Sequence, residues 1–249
     1  MRQQQDCALT SRRLGASEMM KIYDRSGAPH PARVRIVVAE KGLDDQIEFI
    51  SVDLVSAEQK QPHFLAMNPI GKIPVLQLDD GTIISESTAI TEYLDNLDGA
   101  PTLTGKTPRE KGVIHMMQRR AEMMLIDAVD DYFHYGTPGL GPALQSWRAP
   151  DWAGAKEWGQ RRGAFAVANM PWFDALLQKQ PFVAGDAFSM ADITLYAGLM
   201  FAEATRLPID PGMAALHSWR ARVAALPAVK NRSGQKPLSQ DIERMSATR

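Results

Sequence analysis

Apolar positions along the chain repeat with two different periods, and the change from one to the other divides it. Short apolar runs at 21–24, 47–52, 75–78 and 83–85 have strand character, whereas the run from about 32 to 41, closed by Gly42, repeats every three to four residues as a helix does. A short polar helix at about 56–66 and a helix over 86–97 complete the order βαβαββα, a small sheet with helices on both faces. The Pro- and Gly-rich stretch from Gly99 to Pro108 reads as a linker. Beyond it only helical periods occur, at about 107–135, 151–178, 189–204 and 212–225, with a break from Gly136 to Pro142. Ser189 and Asp192 head the apolar run Ile193 to Leu199 as a variant capping box, a structural role.

These boundaries predict an N-terminal domain over 20–98, a linker over 99–108, an all-α domain over 109–230 and a tail over 231–249. The polar residues 1–19 are expected to be a disordered or non-native extension, with Met19 or Met20 as the true start. No internal repeat is seen, and Trp147, Trp152 and Trp158 near the break suit packing or a pocket wall.

Composition narrows the functional classes. With 249 residues and 45% hydrophobic content the chain can bury a real core in one large or two modest domains. Lys plus Arg number 28 against 29 Asp plus Glu, a net charge of −1, so no basic field draws nucleic acid or anionic lipid, and neither partner is implied. Cys7 is the one cysteine, which excludes internal disulfides and Cys-x-x-Cys chemistry, so thiol chemistry in the body of the chain requires a thiol brought by a ligand. The five histidines lack metal-ligand spacing, and no metal is expected. No phosphate-cradling Gly loop or nucleophile elbow occurs. Without a membrane-length apolar run or a secretory signal, the cytoplasm is the expected compartment.

The segment Asn68 to Ile90 carries the most specific chemistry. Pro74 directly before an apolar run turns the Ile73 backbone groups away from ordinary pairing and leaves them for a bound peptide. Asp80-Gly81 marks a hairpin whose second strand delivers Ser85, Glu86 and Ser87 to a helix start, where free amides favour carboxylates. Simple helix capping is the alternative use of Glu86 and Ser87, and surface solvation that of Lys60 and Lys72.

Four motifs in order, Pro29 to Arg35, Gly71 to Leu76, Glu86 to Ile90 and Phe188 to Ile193, resemble those of the cytosolic glutathione transferases over roughly 20–230. The stretches Thr88 to Leu97, Thr102 to Met117 and Thr137 to Pro142 resemble the atypical yeast-type subgroup that lacks a catalytic Ser, Tyr or Cys. The resemblance implies an α+β/α chain, a thioredoxin-like βαβαββα domain followed by an all-α domain, and a homodimeric detoxification enzyme with glutathione as co-substrate. It places Glu86 on the γ-glutamyl ammonium, Ser87 on the γ-glutamyl carboxylate, Ile73 beside Pro74 on the cysteinyl backbone, and Gln59, Lys60 and Lys72 at the glycyl carboxylate.

Where many relatives carry the reacting hydroxyl or thiol, this chain has Ala28, which can neither donate to a thiolate nor attack. Its small side chain at a helix start, with Pro29 in the first turn, lets a thiolate approach the helix amides. Lowering a thiol pKa from about 8.5 to about 6.5 takes roughly 2.7 kcal/mol. A helix terminus supplies about 0.3 to 1, and at best about 2. A second contributor is therefore required. The subgroup uses a water held by a Ser and a His, whose positions match Asp130 and His134; their i, i+4 spacing puts both on one face with room for a water between them. Ser26 is an alternative activator, or a turn residue. The second substrate, an apolar electrophile, is expected between Ala28-Pro29 and the 127–135 face, walled by Tyr132, Tyr135, Trp152 and Phe201, with His30 lining the pocket. Glutathione-dependent peroxidase or dehalogenase activity, or non-catalytic binding of glutathione or an apolar ligand, are the rival functions.

Overall fold

The computed structural model describes residues 19–141, 144 and 154–235. Four strands, β1 (Met20–Asp24), β2 (Ile47–Ser51), β3 (Val75–Gln77) and β4 (Ile83–Ser85), form one sheet in the order β2-β1-β3-β4. β1 and β2 are parallel, which requires the crossover supplied by α1 (Pro29–Glu40); β3 is antiparallel to both β1 and β4. Alternation along the strands fills both faces. Ile22 and Leu76, paired across β1 and β3, join Val34 of α1 and Ile90 and Leu94 of α3 (Ser87–Asn96) in the main core. Tyr23 and Val75, one position along, meet Val52 and Phe64 of α2 (Pro62–Met67) on the opposite face.

Two boundaries differ from the periodicity. α1 starts at Pro29, earlier than the apolar run, because a proline with fixed φ and no N–H suits the first turn. The expected continuous helix at 56–66 is a 3₁₀ turn, Glu58–Lys60, followed by α2, which restarts at Pro62.

Among the described residues the second half holds helices and their connections, with one isolated β-bridge between Phe182 and Gly185. α4 (Pro108–Ala121) opens with a Thr107/Glu110 capping box. It continues through a π-helical turn (Glu122–Ile126), α5 (Asp127–Asp131) and a second π-helical turn (Tyr132–Gly136), so the long predicted helix is present but widened twice. α6 (Ala155–Leu177), α7 (Met190–Ala204), α8 (Ala214–Ala225) and α9 (Pro227–Lys230) follow. α7 is the buried centre. Its Asp192 accepts from the Ser189 amide at 3.0 Å, the Val183 amide at 2.8 Å and the Trp219 indole at 2.9 Å. Asp95 takes the amides of Thr102, Leu103 and Thr104, which fastens the segment between the two halves to α3, and α1 packs against α7. Among the described residues no helix is long and apolar enough to cross a membrane.

Candidate functional site

Two adjoining cavities, of about 960 and about 430 Å³, lie where the sheet half meets the helical half. His30, Lys72, Ile73, Asp130 and Asp131 line both and stand at their junction. The larger cavity reaches Pro74, Glu86 and Ser87; the smaller reaches Ala28, Pro29, Gln59, Lys60, His134 and Tyr135.

At the Glu86 end the helix start is open. Glu86 holds φ +71°, a backbone region that a glutamate adopts only under local constraint, and α3 has no side-chain cap. Ile90 is the first residue whose amide bonds back, to Glu86 at 2.9 Å, so the amides of Ser87, Thr88 and Ala89 precede the helical ladder. The Ser87 hydroxyl donates instead to the His30 carbonyl at 3.4 Å. Capping is thus not what these side chains do. In the middle, Ile73 precedes a cis peptide bond to Pro74 and lies outside the ladder, which begins at Val75.

At the other end two ammonium groups converge. Lys60 Nζ donates to the Ile70 carbonyl at 2.9 Å across Gly71, whose Cβ would stand 2.9 Å from that nitrogen and 2.7 Å from the Gln59 carbonyl oxygen; only glycine fits. Burial, and then the neighbouring Lys72 charge, push the Lys60 pKa down. Lys72 lies 3.5 Å from Asp130, whose charge raises its pKa. Gln59 is 4% exposed, and its Oε1 is the one buried side-chain polar atom among the described residues with no hydrogen-bond partner.

The start of α1 is poor in donors. Pro29 and Pro31 have no N–H, the Ala28 amide donates to Arg25 at 3.1 Å, and the Ala32 amide donates to Ala28 at 3.0 Å. The His30 amide is the remaining first-turn donor. Burial pushes the His30 imidazole down to about 4, so it is neutral at neutral pH. Ser26 lines neither cavity; its hydroxyl donates to the Gly234 carbonyl at 2.5 Å, a structural bond.

Asp130 and His134 are brought together, with Oδ1 to Nε2 3.4 Å, too close to admit a water between them. A water shared by the pair must sit at their cavity side. Burial works against the Asp130 carboxylate, yet His134 and Lys72 outweigh it and hold the group well below the usual range. Asp130 lies in α5 and His134 in the second π turn, which Gly136 and Gly159 let approach α6 closely. The walls of the smaller cavity include Leu54, Phe133, Tyr135, Leu140 and Phe201. Tyr132, expected there, lines neither cavity; its ring packs on Gly163 of α6, where a Cβ would come within 2.7 Å of it. Trp158 stacks edge-on to Tyr135 at 5.3 Å, whereas Trp152 and Trp147 lie outside the described residues.

A cluster not singled out from the sequence lies behind Ser87. Arg33, 3% exposed, donates to Glu122 at 2.9 Å and to Thr88 at 3.1 Å; Thr88 also donates to Glu122 at 2.9 Å and accepts from Gln118 at 2.7 Å. A charged residue inside the apolar helix 29–40 was the available signal. Among the described residues no group of three or more His, Cys, Asp or Glu side chains could hold a metal.

Residues 28–97 match the family description "Glutathione S-transferase, N-terminal domain" and residues 168–227 match "Glutathione S-transferase, C-terminal domain". Glutathione S-transferase 2 of Saccharomyces cerevisiae is 52% identical over 213 residues, 86% of this chain and 89% of that protein. The crystal structure of Gtt2 from the same organism superposes with a TM-score of 0.81 at 52% identity, covering 85% of this chain and 99% of that one. A glutathione S-transferase domain-containing protein of Marinobacter aquaeolei superposes at 0.79 with 46% identity, covering 84% and 99%.

Proposed function

The chain belongs to the glutathione S-transferase family, and on that premise we propose that it binds glutathione as an extended tripeptide, ionises its thiol and transfers the sulfur to an apolar electrophile. One observation carries the reading: Glu86 and Ser87 line one cavity, Gln59 and Lys60 the other, and Ile73 and Lys72 both, an order that suits an extended tripeptide. Glu86 and the open α3 amides suit the γ-glutamyl ammonium and carboxylate, Ile73 the cysteinyl backbone, and Lys60, Lys72 and Gln59 the glycyl carboxylate. Charge-assisted bonds at both ends fix the thiol between them, a positioning contribution to catalysis.

Bound this way, the sulfur lies near Ala28, whose small side chain leaves the His30 amide accessible. One donor and the helix dipole supply about 1 kcal/mol of the roughly 2.7 needed. The remainder is assigned to the Asp130/His134 pair acting on a water at its cavity side, the ionised carboxylate making that water a stronger proton acceptor. The thiolate then attacks a carbon of an electrophile held against Phe133, Tyr135, Leu140 and Phe201, and the leaving group departs with the bonding pair. Family membership supports action as a cytoplasmic homodimer. The exposed Met116 of α4 and Trp172 of α6 are candidate contacts for the second copy, which sedimentation equilibrium tests.

Ultraviolet absorbance of thiolate in bound glutathione, followed against pH, tests the reading together with turnover of 1-chloro-2,4-dinitrobenzene. Thiolate at pH 7.5 and conjugate formation are expected. A thiol still protonated at that pH, with no electrophile consumed, refutes transferase chemistry and leaves a binding protein.

A further inference from the structure

His30 lines both cavities and is partly exposed to them, at the junction where the sulfur and the electrophile of the proposed reaction would meet. Its backbone is held in place: it lies in the first turn of α1 between Pro29 and Pro31, whose rings fix φ, and its carbonyl accepts from the Ser87 hydroxyl at 3.4 Å. Among the described residues its ring nitrogens have no hydrogen-bond partner. The charged groups whose fields reach it are committed to one another, Asp130 to His134 and Lys72, and Glu122 to Arg33. Asp131, which lines the same junction, is held by Arg162 at 2.8 Å. Burial outweighs the Asp130 charge and keeps the imidazole neutral, and a neutral imidazole has one N–H to donate. The smaller cavity also presents the apolar side chains of Phe133, Leu140 and Phe201. An electrophile that lays its chain on that wall and carries a carbonyl must find a donor for the oxygen on leaving water. A departing halide is a diffuse, weak acceptor, whereas a carbonyl oxygen that takes up negative charge is a strong one.

We propose that His30 is a catalytic residue whose imidazole N–H holds the carbonyl oxygen of an α,β-unsaturated aldehyde or ketone while the glutathione sulfur adds to it. The inference rests on the transferase reading and deepens it by naming a class of electrophile. The sulfur forms a bond to the β-carbon, and the π pair of the alkene moves through the conjugated system onto the oxygen as an enolate. His30 donates to that oxygen and keeps its proton. The α-carbon then takes the proton that the water at Asp130 and His134 removed from the thiol, so nothing leaves and no oxidant or reductant enters. Because charge on the oxygen develops during the reaction, the bond strengthens toward the transition state and acts on kcat more than on KM.

Steady-state kinetics with trans-2-hexenal and 1-iodohexane isolates the N–H, since the two chains match in length and only the aldehyde has an oxygen that gains charge. His30→Phe keeps a ring and the backbone amide but removes the donor. It should lower kcat for the aldehyde relative to the iodide by about 10- to 100-fold, the range for a hydrogen bond to a charged group, with the aldehyde KM changing less than about threefold. His30→Gln restores a side-chain N–H and should recover most of that ratio. If His30→Phe fails to fold, His30→Ala takes its place in the same comparison. Equal losses on the two substrates, or none on either, overturn the proposal. A raised pKa of the bound thiol in the ultraviolet titration of the variant overturns it too, by putting the donor on the sulfur. So does a wild-type protein that alkylates glutathione with the iodide and ignores the aldehyde. A wild-type protein that consumes neither electrophile removes the transferase reading beneath it.

Discussion

Replacing Gly159 by alanine tests whether the packing of α6 on the second π turn sets the chemistry. A Cβ at this position would stand 2.2 Å from the Gly136 amide nitrogen and 2.7 Å from the Tyr135 carbonyl carbon. Ordinary contact begins at 3.4 Å, and both atoms are backbone, so the two segments must separate by about 1.2 Å. Alanine is the better helix former by about 1 kcal/mol. Against that, forcing a packed contact apart costs about 1–3 kcal/mol. Separation also stretches the 2.7 Å bond from Gln160 Nε2 to the Gly136 carbonyl, a further loss of about 1 kcal/mol. The net, about 2 kcal/mol, lowers Tm by about 4–8 °C in a chain of this size.

The same displacement moves His134, which sits in the turn, while the track for the tripeptide is built mainly on the other half of the chain. Gly159→Ala should therefore leave the glutathione Kd within a few-fold and lower kcat by about tenfold to a hundredfold, the range for a misplacement near 1 Å. Gly163→Ala is the control: its Cβ meets the Tyr132 ring at 2.7 Å, a side chain that can rotate, so it should cost less stability and leave kcat nearly intact. Differential scanning calorimetry and steady-state kinetics on the two variants decide the matter. A Gly159→Ala protein with wild-type Tm and kcat would refute the packing argument; a lowered Tm with unchanged kcat would refute the link to His134.

Three further outcomes are expected. Asp130→Asn and His134→Ala should each raise the pKa of the bound thiol by about one unit, about 1.4 kcal/mol, and an unchanged ultraviolet titration in both variants would sink the water-base mechanism. Asp192 is pushed up to about 6, chiefly by burial, so between roughly pH 4 and pH 6 the folded state binds more protons than the unfolded one. Its contribution to stability thus grows as pH falls through that window, and urea melts at pH 7 and pH 5 should show Asp192→Asn losing this gain; parallel pH dependence in the two proteins would contradict the assignment. Arg35→Met strands the Asp24 carboxylate, now paired at 2.6 Å and 2.9 Å, and should destabilise by about 3–5 kcal/mol in denaturant, with Asp24→Leu in the same chain restoring much of it.

What could be read from the sequence was local. Ile73-Pro74, the hairpin and the helix start at Ser87 all fall within about twenty residues, and their spacing alone places a peptide's backbone and one of its termini. The missing donors of α1 were also legible, since Pro29 and Pro31 cannot supply an N–H wherever the helix begins. The cross-chain contacts were not. Arg33 meets Glu122 across 89 positions and Lys72 meets Asp130 across 58, and both acidic residues sit in or beside π turns that a 3.6-residue pattern passes over. Tyr132 opens the second π turn, and its ring packs on Gly163 instead of lining either cavity.

On the proposed mechanism, holding and activating glutathione draw on different halves of the molecule. The sheet half provides charged groups for the two ends of the tripeptide, but at the thiol it offers an alanine side chain and one amide. A deficit of about 1.7 kcal/mol remains after the helix terminus is counted, and it has to be met by groups from the helical half. Asp130 is tied to both demands, since Lys72 bonds it and would be drawn away toward the glycyl carboxylate of bound glutathione. Removing Asp130 should consequently separate the two functions in one variant: Asp130→Asn frees Lys72 and tightens glutathione binding, yet impairs thiol ionisation. A variant in which affinity and ionisation fall together would show that Asp130 supports the site without competing for Lys72.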